Sequence, residues 1–265
     1  MAFSFIQITD HHLCESEDQL RLGFSPAYAF RTVLRHIAAH VADRTDFIIS
    51  TGDLVEPATD RAYQTLRHML AVQGQTVTAP GPLSVSLAGP RRMPMYFLPG
   101  NHDDRESFQR NLFPNMSATP LVNTSFWHLG IQFICPDWGA EAKAVIYPET
   151  LRFLKQALRN SAPSVVIMHH HLAPLGRQWL DDFIPAEAER FWEVVTRPNV
   201  LGILCGHAHT TYELMVKDIP VFGLRSTALP FAPLDEPVPC LLPPHYRLIT
   251  VQDNRLHTQI FEVPL

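Results

Sequence analysis

Residues 3–12, FSFIQITDHH, decide the fold. The first seven are an apolar, aromatic and β-branched run of strand length, and the run ends in residue types that bind cations. The arrangement recurs four times. Gly52-Asp53 follows DFIIST, Gly100-Asn101-His102-Asp103 follows PMYFLP, His169-His170-His171 follows SVVIM, and Gly206-His207-Ala208-His209 follows VLGILC. Runs apolar on both faces read as buried strands of an α/β sheet. Ligands of such sheets sit in the crevice beyond the carboxyl ends of the strands. The five segments are therefore expected to meet at one place, with Asp, Asn and His ligands for about two metal ions.

Working outward, strands and helices alternate. Strands are expected at 3–9, 47–51, 95–98, 165–168 and 200–205, with helices at 26–43, 59–73, 104–112, 148–160 and 185–195. Pro26 suits a first helical turn, and Phe30, Val33, Leu34, Ile37 and Val41 recur at helical spacing behind it. Residues 125–129 and 131–135 read as a hairpin turning at Gly130. Further strands are expected at 212–216, 221–224, 246–251 and 257–263. Repeated βα units followed by antiparallel pairs predict mixed sheets, and two stacked sheets between helices would bury strands that are apolar on both faces. Residues 73–94 read as an insertion, a projecting hairpin built from the TVT and LSVSL pieces, open to use as a lid or as a homodimer contact. Residues 229–244 read as an ordered Pro-rich loop.

The chain has 265 residues, of which 46% are hydrophobic and 18% charged, so one soluble domain with a large core is expected across residues 1–265. The longest apolar runs are strand-length, which argues against a membrane span, and the start of the chain has no basic n-region of a signal peptide. Cys14, Cys135, Cys205 and Cys240 lack paired spacing, and reduced thiols predict a cytoplasmic setting. The formal net charge is −5 and the one adjacent basic pair is Arg91-Arg92, so nucleic acid is not an expected partner.

Each residue type has a use in that crevice. Asp10 and His12 lie two apart, and on an extended chain their side chains point the same way and can chelate one ion. Asp53 has two oxygens and can bridge two cations, while Gly52 lets the backbone turn toward the site. His207 and His209 alternate about a small Ala208, and Asn101 offers a neutral amide oxygen. His102 is a candidate proton donor. Taken singly, Asp10 is an ordinary turn residue, Gly-Asp an ordinary turn, and His169, His170 and His171 ordinary surface histidines. The ordinary reading stands for His11, His36, His40, His68, His128, His171, His245 and His257, which lack the strand-end setting or have a better-placed neighbour.

The ordered set D-x-H, GD, GNHD, V-x-x-H and GHxH resembles the calcineurin-like metallophosphoesterases over almost the whole chain. QITDHHL, LPGNHD, MHHHLAPLGRQWLDD, GHAHTTYEL and RSTALPFAP narrow the resemblance to bacterial class III cyclic-nucleotide phosphodiesterases and their glycerophosphodiesterase relatives. It implies a four-layer αββα sandwich of two mixed β-sheets flanked by helices. It also implies two metal ions, iron (Fe) with manganese (Mn) or zinc (Zn), and hydrolysis of a small phosphate ester. Residue by residue it places Asp10, His12, Asp53 and His209 on one metal, with Asp53 bridging to a second held by Asn101, His169 and His207. His102 matches the histidine beside the phosphate or leaving group. The triple histidine favours His169 and leaves His170 as the fallback. A phosphomonoesterase is the neighbouring reading; a non-catalytic scaffold would be marked by lost ligands, and every ligand position is filled. Selectivity is expected from rim loops at 13–25, 73–94, 172–184 and 229–244, where Phe24, Trp179, Phe183 and Phe231 could stack on a base.

Overall fold

The computed structural model describes residues 2–72, 84–87, 93–115, 117–232 and 234–264. Two six-stranded sheets form its centre. The first contains β1 (Phe3–Ile8), β2 (Phe47–Ser50), β3 (Ser84–Leu87), β4 (Met93–Phe97), β11 (His245–Gln252) and β12 (Arg255–Glu262), in the order β12-β11-β1-β2-β4-β3. The second contains β5 (Thr124–His128), β6 (Ile131–Cys135), β7 (Ser164–Ile167), β8 (Val200–Cys205), β9 (Tyr212–Val216) and β10 (Ile219–Gly223), in the order β5-β6-β7-β8-β10-β9. β1, β2 and β4 run parallel, as do β6, β7, β8 and β10, while the outer pairings are antiparallel.

The alternation of side chains along each strand explains the layers. Ile6, Ile8 and Ile48 face Phe30, Val33, Leu66 and Phe108 of helices α1 (Pro26–His40), α2 (Asp60–Val72) and α3 (Arg105–Leu112). Ile134, Val166 and Ile203 face Leu151, Leu154, Phe191 and Val195 of α4 (Pro148–Ala157) and α6 (Glu189–Val195). Between the sheets lie Phe5, Phe47, Ile49, Phe133, Val165, Ile167 and Leu204. Phe5 stacks on Phe47 at 4.9 Å, Phe47 meets Phe133 edge-on at 5.2 Å, and Tyr96 stacks on Phe126 at 3.9 Å. The result is the four-layer αββα sandwich.

Several boundaries move. The first helix stops at His40, and a 3-10 turn at Ala42–Arg44 takes the remaining residues. The expected helix at 185–195 is a 3-10 turn, Ala186–Ala188, followed by α6, and a short α5 (Gln178–Asp181) lies before it. β4 begins at Met93, earlier than expected: Pro94 pairs with Ser86 of the edge strand, one residue before the ladder with β2 starts at Met95. Ser84–Leu87 of the LSVSL piece thus join the first sheet as its edge, β3; the TVT piece lies outside the described residues. The Pro-rich segment folds back on itself, with Ala232 N–H donating to the Val238 carbonyl and Cys240 N–H to that of Pro230. The four cysteines carry free thiols, three of them buried. No described helix is long and apolar enough to cross a membrane.

Candidate metal centre

The carboxyl ends of β1, β2, β4, β7 and β8 meet at one crevice between the sheets and deliver all the expected residues there. The ladder between β1 and β2 continues past the strands, with Asp10 N–H bonded to the Gly52 carbonyl and His12 N–H to that of Asp53, each at 3.0 Å. Two glycines let the loops close up. Gly52 has φ +97°, and a Cβ there would lie 2.6 Å from His169 Nδ1; a Cβ on Gly100 would lie 2.1 Å from Asp53 Oδ1. The local geometry behind the D-x-H and H-x-H spacing differs from the extended chain expected. Asp10 (φ 54°), His12 (44°), Asp53 (52°), His207 (67°) and His209 (49°) are all left-handed, so the side chains converge because the backbone turns sharply after each strand.

The cluster has two lobes. In the first, ligand-type atoms of Asp10, His12, Asp53 and His209 all lie within 4.8 Å of one another. His12 Nε2 is 3.0 Å from His209 Nε2 and 3.7 Å from Asp53 Oδ2, and His209 Nε2 is 3.2 Å from Asp10 Oδ1. In the second, Asn101 Oδ1 lies 2.9 Å from His169 Nε2 and 2.8 Å from His207 Nδ1, while His169 Nε2 is 3.4 Å from Asp53 Oδ1. Asp53 belongs to both.

The protons of the imidazoles test whether cations fit. His12 Nδ1 faces the Glu56 carboxylate at 2.9 Å, His209 Nδ1 the Leu229 carbonyl at 2.6 Å, and His169 Nδ1 the Thr51 carbonyl at 2.8 Å. These partners accept only, so each Nδ1 carries the hydrogen. In the neutral rings each Nε2 then points a bare lone pair at another acceptor: His12 and His209 at each other and at Asp53 and Asp10, and His169 at Asp53 and the Asn101 amide oxygen. Acceptors facing acceptors in a buried site call for positive charge. The titration directions show the same demand for positive charge, since His169 and His209 are both raised and so favour a second proton on Nε2 beside the carboxylates. Burial alone would raise both carboxyls, yet His209 holds Asp10 below its ordinary value and His169 holds Asp53 well below. Burial opposes protonation of His169, but the Asp53 charge and hydrogen bond raise it to about 9. A mixed nitrogen and oxygen donor set of this kind suits borderline metals such as iron, manganese and zinc.

Of the three consecutive histidines, all buried, His169 faces the cluster. His170 and His171 spend their Nε2 atoms on the carbonyls of Glu141 (2.9 Å) and Leu180 (3.0 Å). Burial pushes these two down to about 3 and about 4, respectively. His11 is also buried and ties Ser50 to Thr227. His102 sits at the mouth, its side chain 39% exposed, with Nδ1 3.2 Å from Glu56 Oε2 and its backbone N–H bonded to Asp53 Oδ1.

Sequence reasoning missed Glu56. It touches His12 and His102 and is paired with Arg21. Burial would raise it, but the His12 hydrogen bond, His102 and Arg21 bring it down to about 2. Its signal was the carboxylate three positions after Asp53. Asp103 was quoted without a role; it is buried, accepts from the backbone of Leu54 and Gly100 and from Tyr63 Oη, and fastens the two loops together. Among the rim aromatics, Phe231 stacks on His209 at 4.8 Å, Trp179 meets Phe231 edge-on, and Phe183 meets His207 edge-on.

A family model described as "Calcineurin-like phosphoesterase" matches residues 3–211. A "3',5'-cyclic adenosine monophosphate phosphodiesterase CpdA" of Vibrio vulnificus is 26% identical over 98% of this chain and 89% of that protein. A "Probable cyclic nucleotide phosphodiesterase" of Colwellia psychrerythraea is also 26% identical, over 97% of this chain and 94% of its own length. Among solved structures, GAP50, described as the anchor in the inner membrane complex of Plasmodium, has a TM-score of 0.63 at 12% identity, covering 98% of this chain and 84% of that one. At that identity the likeness is one of fold.

Proposed function

The chain belongs to the calcineurin-like phosphoesterase family and is a metal-dependent phosphoric ester hydrolase; from that premise we propose that it is a phosphodiesterase of small diesters, with 3',5'-cyclic nucleotides as its first substrates. The observation that carries this reading is the convergence of bare imidazole lone pairs, two carboxylates and an amide oxygen in two lobes sharing Asp53. The relatives named as cyclic nucleotide phosphodiesterases support the choice of substrate.

In this assignment Asp10, His12, Asp53 and His209 hold one metal, and Asp53, Asn101, His169 and His207 hold the other. When bound, such a pair clamps phosphate oxygens and lowers the pKa of water. Asp10 and Asp53 supply only two negative charges, and the remaining ligands are neutral. Two divalent ions would therefore leave a net positive site for a phosphate. Glu56 takes His102 Nδ1 and fixes the ring at the mouth. His102 then hands a proton from its other nitrogen to the leaving alkoxide. Thr51, Glu56 and Leu229 hold the second nitrogens of His169, His12 and His209, orienting those three rings as second-sphere partners do.

The test is metal analysis together with a substrate panel: cyclic nucleotides, glycerophosphodiesters, phosphomonoesters and long nucleic acid. Two metals per chain and highest kcat/KM on cyclic nucleotides are expected. A strong preference for monoesters or for nucleic acid overturns the substrate, and full activity after exhaustive chelation overturns the chemistry.

A further inference from the structure

The segment Arg225-Ser226-Thr227-Ala228-Leu229 follows β10 and supplies none of the assigned ligands, yet it is bonded closely to the first lobe. Ser226 is fully buried, and its hydroxyl is used to capacity. It donates to the Asp10 carbonyl at 2.7 Å and accepts the N–H groups of Ala228 (3.1 Å) and Leu229 (2.8 Å). One donor and two acceptor sites are all a hydroxyl offers. Its two ends lead to two different ligands. Asp10 is left-handed, and the bond to its carbonyl holds that turn. Leu229, whose N–H Ser226 holds, accepts from His209 Nδ1 at 2.6 Å. Thr227 reinforces the arrangement. Its N–H and hydroxyl both donate to the Thr9 carbonyl, and its oxygen meets His11 Nδ1 at 3.2 Å. The second lobe is oriented elsewhere, through the Thr51 carbonyl on His169 and the contact of Asn101 with His207.

We propose that Ser226 is a positioning residue for one lobe alone, setting the affinity of the metal held by Asp10, His12, Asp53 and His209 by aiming Asp10 and His209 together. This rests on the two-lobe assignment above. It goes beyond it by predicting that the two metals can be uncoupled from a residue that touches neither. A purely structural serine would lower overall stability without choosing between lobes.

The experiment titrates manganese(II) into metal-stripped protein and follows bound metal by equilibrium dialysis, with electron paramagnetic resonance separating single from exchange-coupled ions. Ser226→Ala is expected to weaken one site about 10- to 100-fold, the usual effect of losing a second-sphere partner. It then holds a single, uncoupled ion at concentrations where the wild type holds a coupled pair. Asn101→Ala is expected to hold one ion too, from the opposite lobe, so that the double variant holds neither. Unchanged affinities in Ser226→Ala, equal weakening of both sites, or a double variant that keeps the same single ion as each parent would overturn the proposal. If Ser226→Ala does not fold, Ser226→Cys, which fills the site but donates and accepts only weakly, carries the same test with the same expected selectivity. A wild-type protein that never binds a second metal would instead defeat the two-lobe assignment itself.

Discussion

Left-handed backbone at five assigned ligands has a cost, about 1–2 kcal/mol per residue for L-amino acids, and persists because neighbouring bonds over-determine it. At Asp53 the constraint and the chemistry coincide: its two carboxylate oxygens face different lobes. Asp53→Ala is expected to release both metals, read as metal content after dialysis; retention of one metal at full occupancy would contradict its bridging role. His102 differs in kind, being at the mouth and bound to Glu56. His102→Ala is expected to keep its metals and lose about 10²–10⁴ in turnover on substrates with poor leaving groups, and less on nitrophenyl esters, which need no proton. Equal losses on both would assign it to phosphate binding instead. Because His169 faces Asn101 while His170 bonds the Glu141 carbonyl, metal content should fall in His169→Ala more than in His170→Ala.

Elements carry this turn-rich site because the layers beneath it are stiff. Phe133 is fully buried; it meets Phe5 and Phe47 of the opposite sheet, contacts that join the two layers, and stacks on Phe126 of its own sheet. Phe133→Ala is expected to cost about 3–5 kcal/mol in chemical denaturation; a change under about 1 kcal/mol would show that the inter-sheet layer closes over the gap. α3 follows directly from GNHD, and Asp104 caps it by accepting the Ser107 N–H at 2.8 Å. Ser25 caps α1 by accepting the Tyr28 N–H, and the start of that helix was legible from Pro26. The four-residue α5 was not, since one turn carries too little periodicity to register. β4 was misplaced because Pro94 and its turn-forming neighbours look like a break when the edge strand opposite is not in view.

For the whole molecule, acid sensitivity follows from histidines buried neutral. Burial, helped by Arg225 and Arg247, holds His245 at about 3 against an ordinary 6.5. Below about 6.5 the unfolded chain takes up a proton the folded chain refuses, so stability falls as pH falls from 6.5 toward 3. His11 and His170, both at about 3, act in the same sense. His245→Gln keeps an acceptor for the Arg225 N–H and should flatten the decline in urea stability between pH 6 and 4 by up to about 1.4 kcal/mol per pH unit; an unchanged slope would show that His245 is protonated in the fold. Chelation should lower the melting temperature, since a metal at 100 times its dissociation constant adds about 2.7 kcal/mol per site. What the sequence by itself determined was the two-sheet α/β architecture, the single crevice and the identity of the residues in it, because strand-length apolar runs and cation-binding side chains at their ends are local patterns. Only the tertiary structure decided which of three adjacent histidines faces the crevice, that Glu56 joins His12 to His102, and that Ser226, far along the chain, holds Asp10 in place. Those depend on where backbones cross and which hydrogen-bond partners burial leaves within reach, and neither is written in the spacing of residues along one chain.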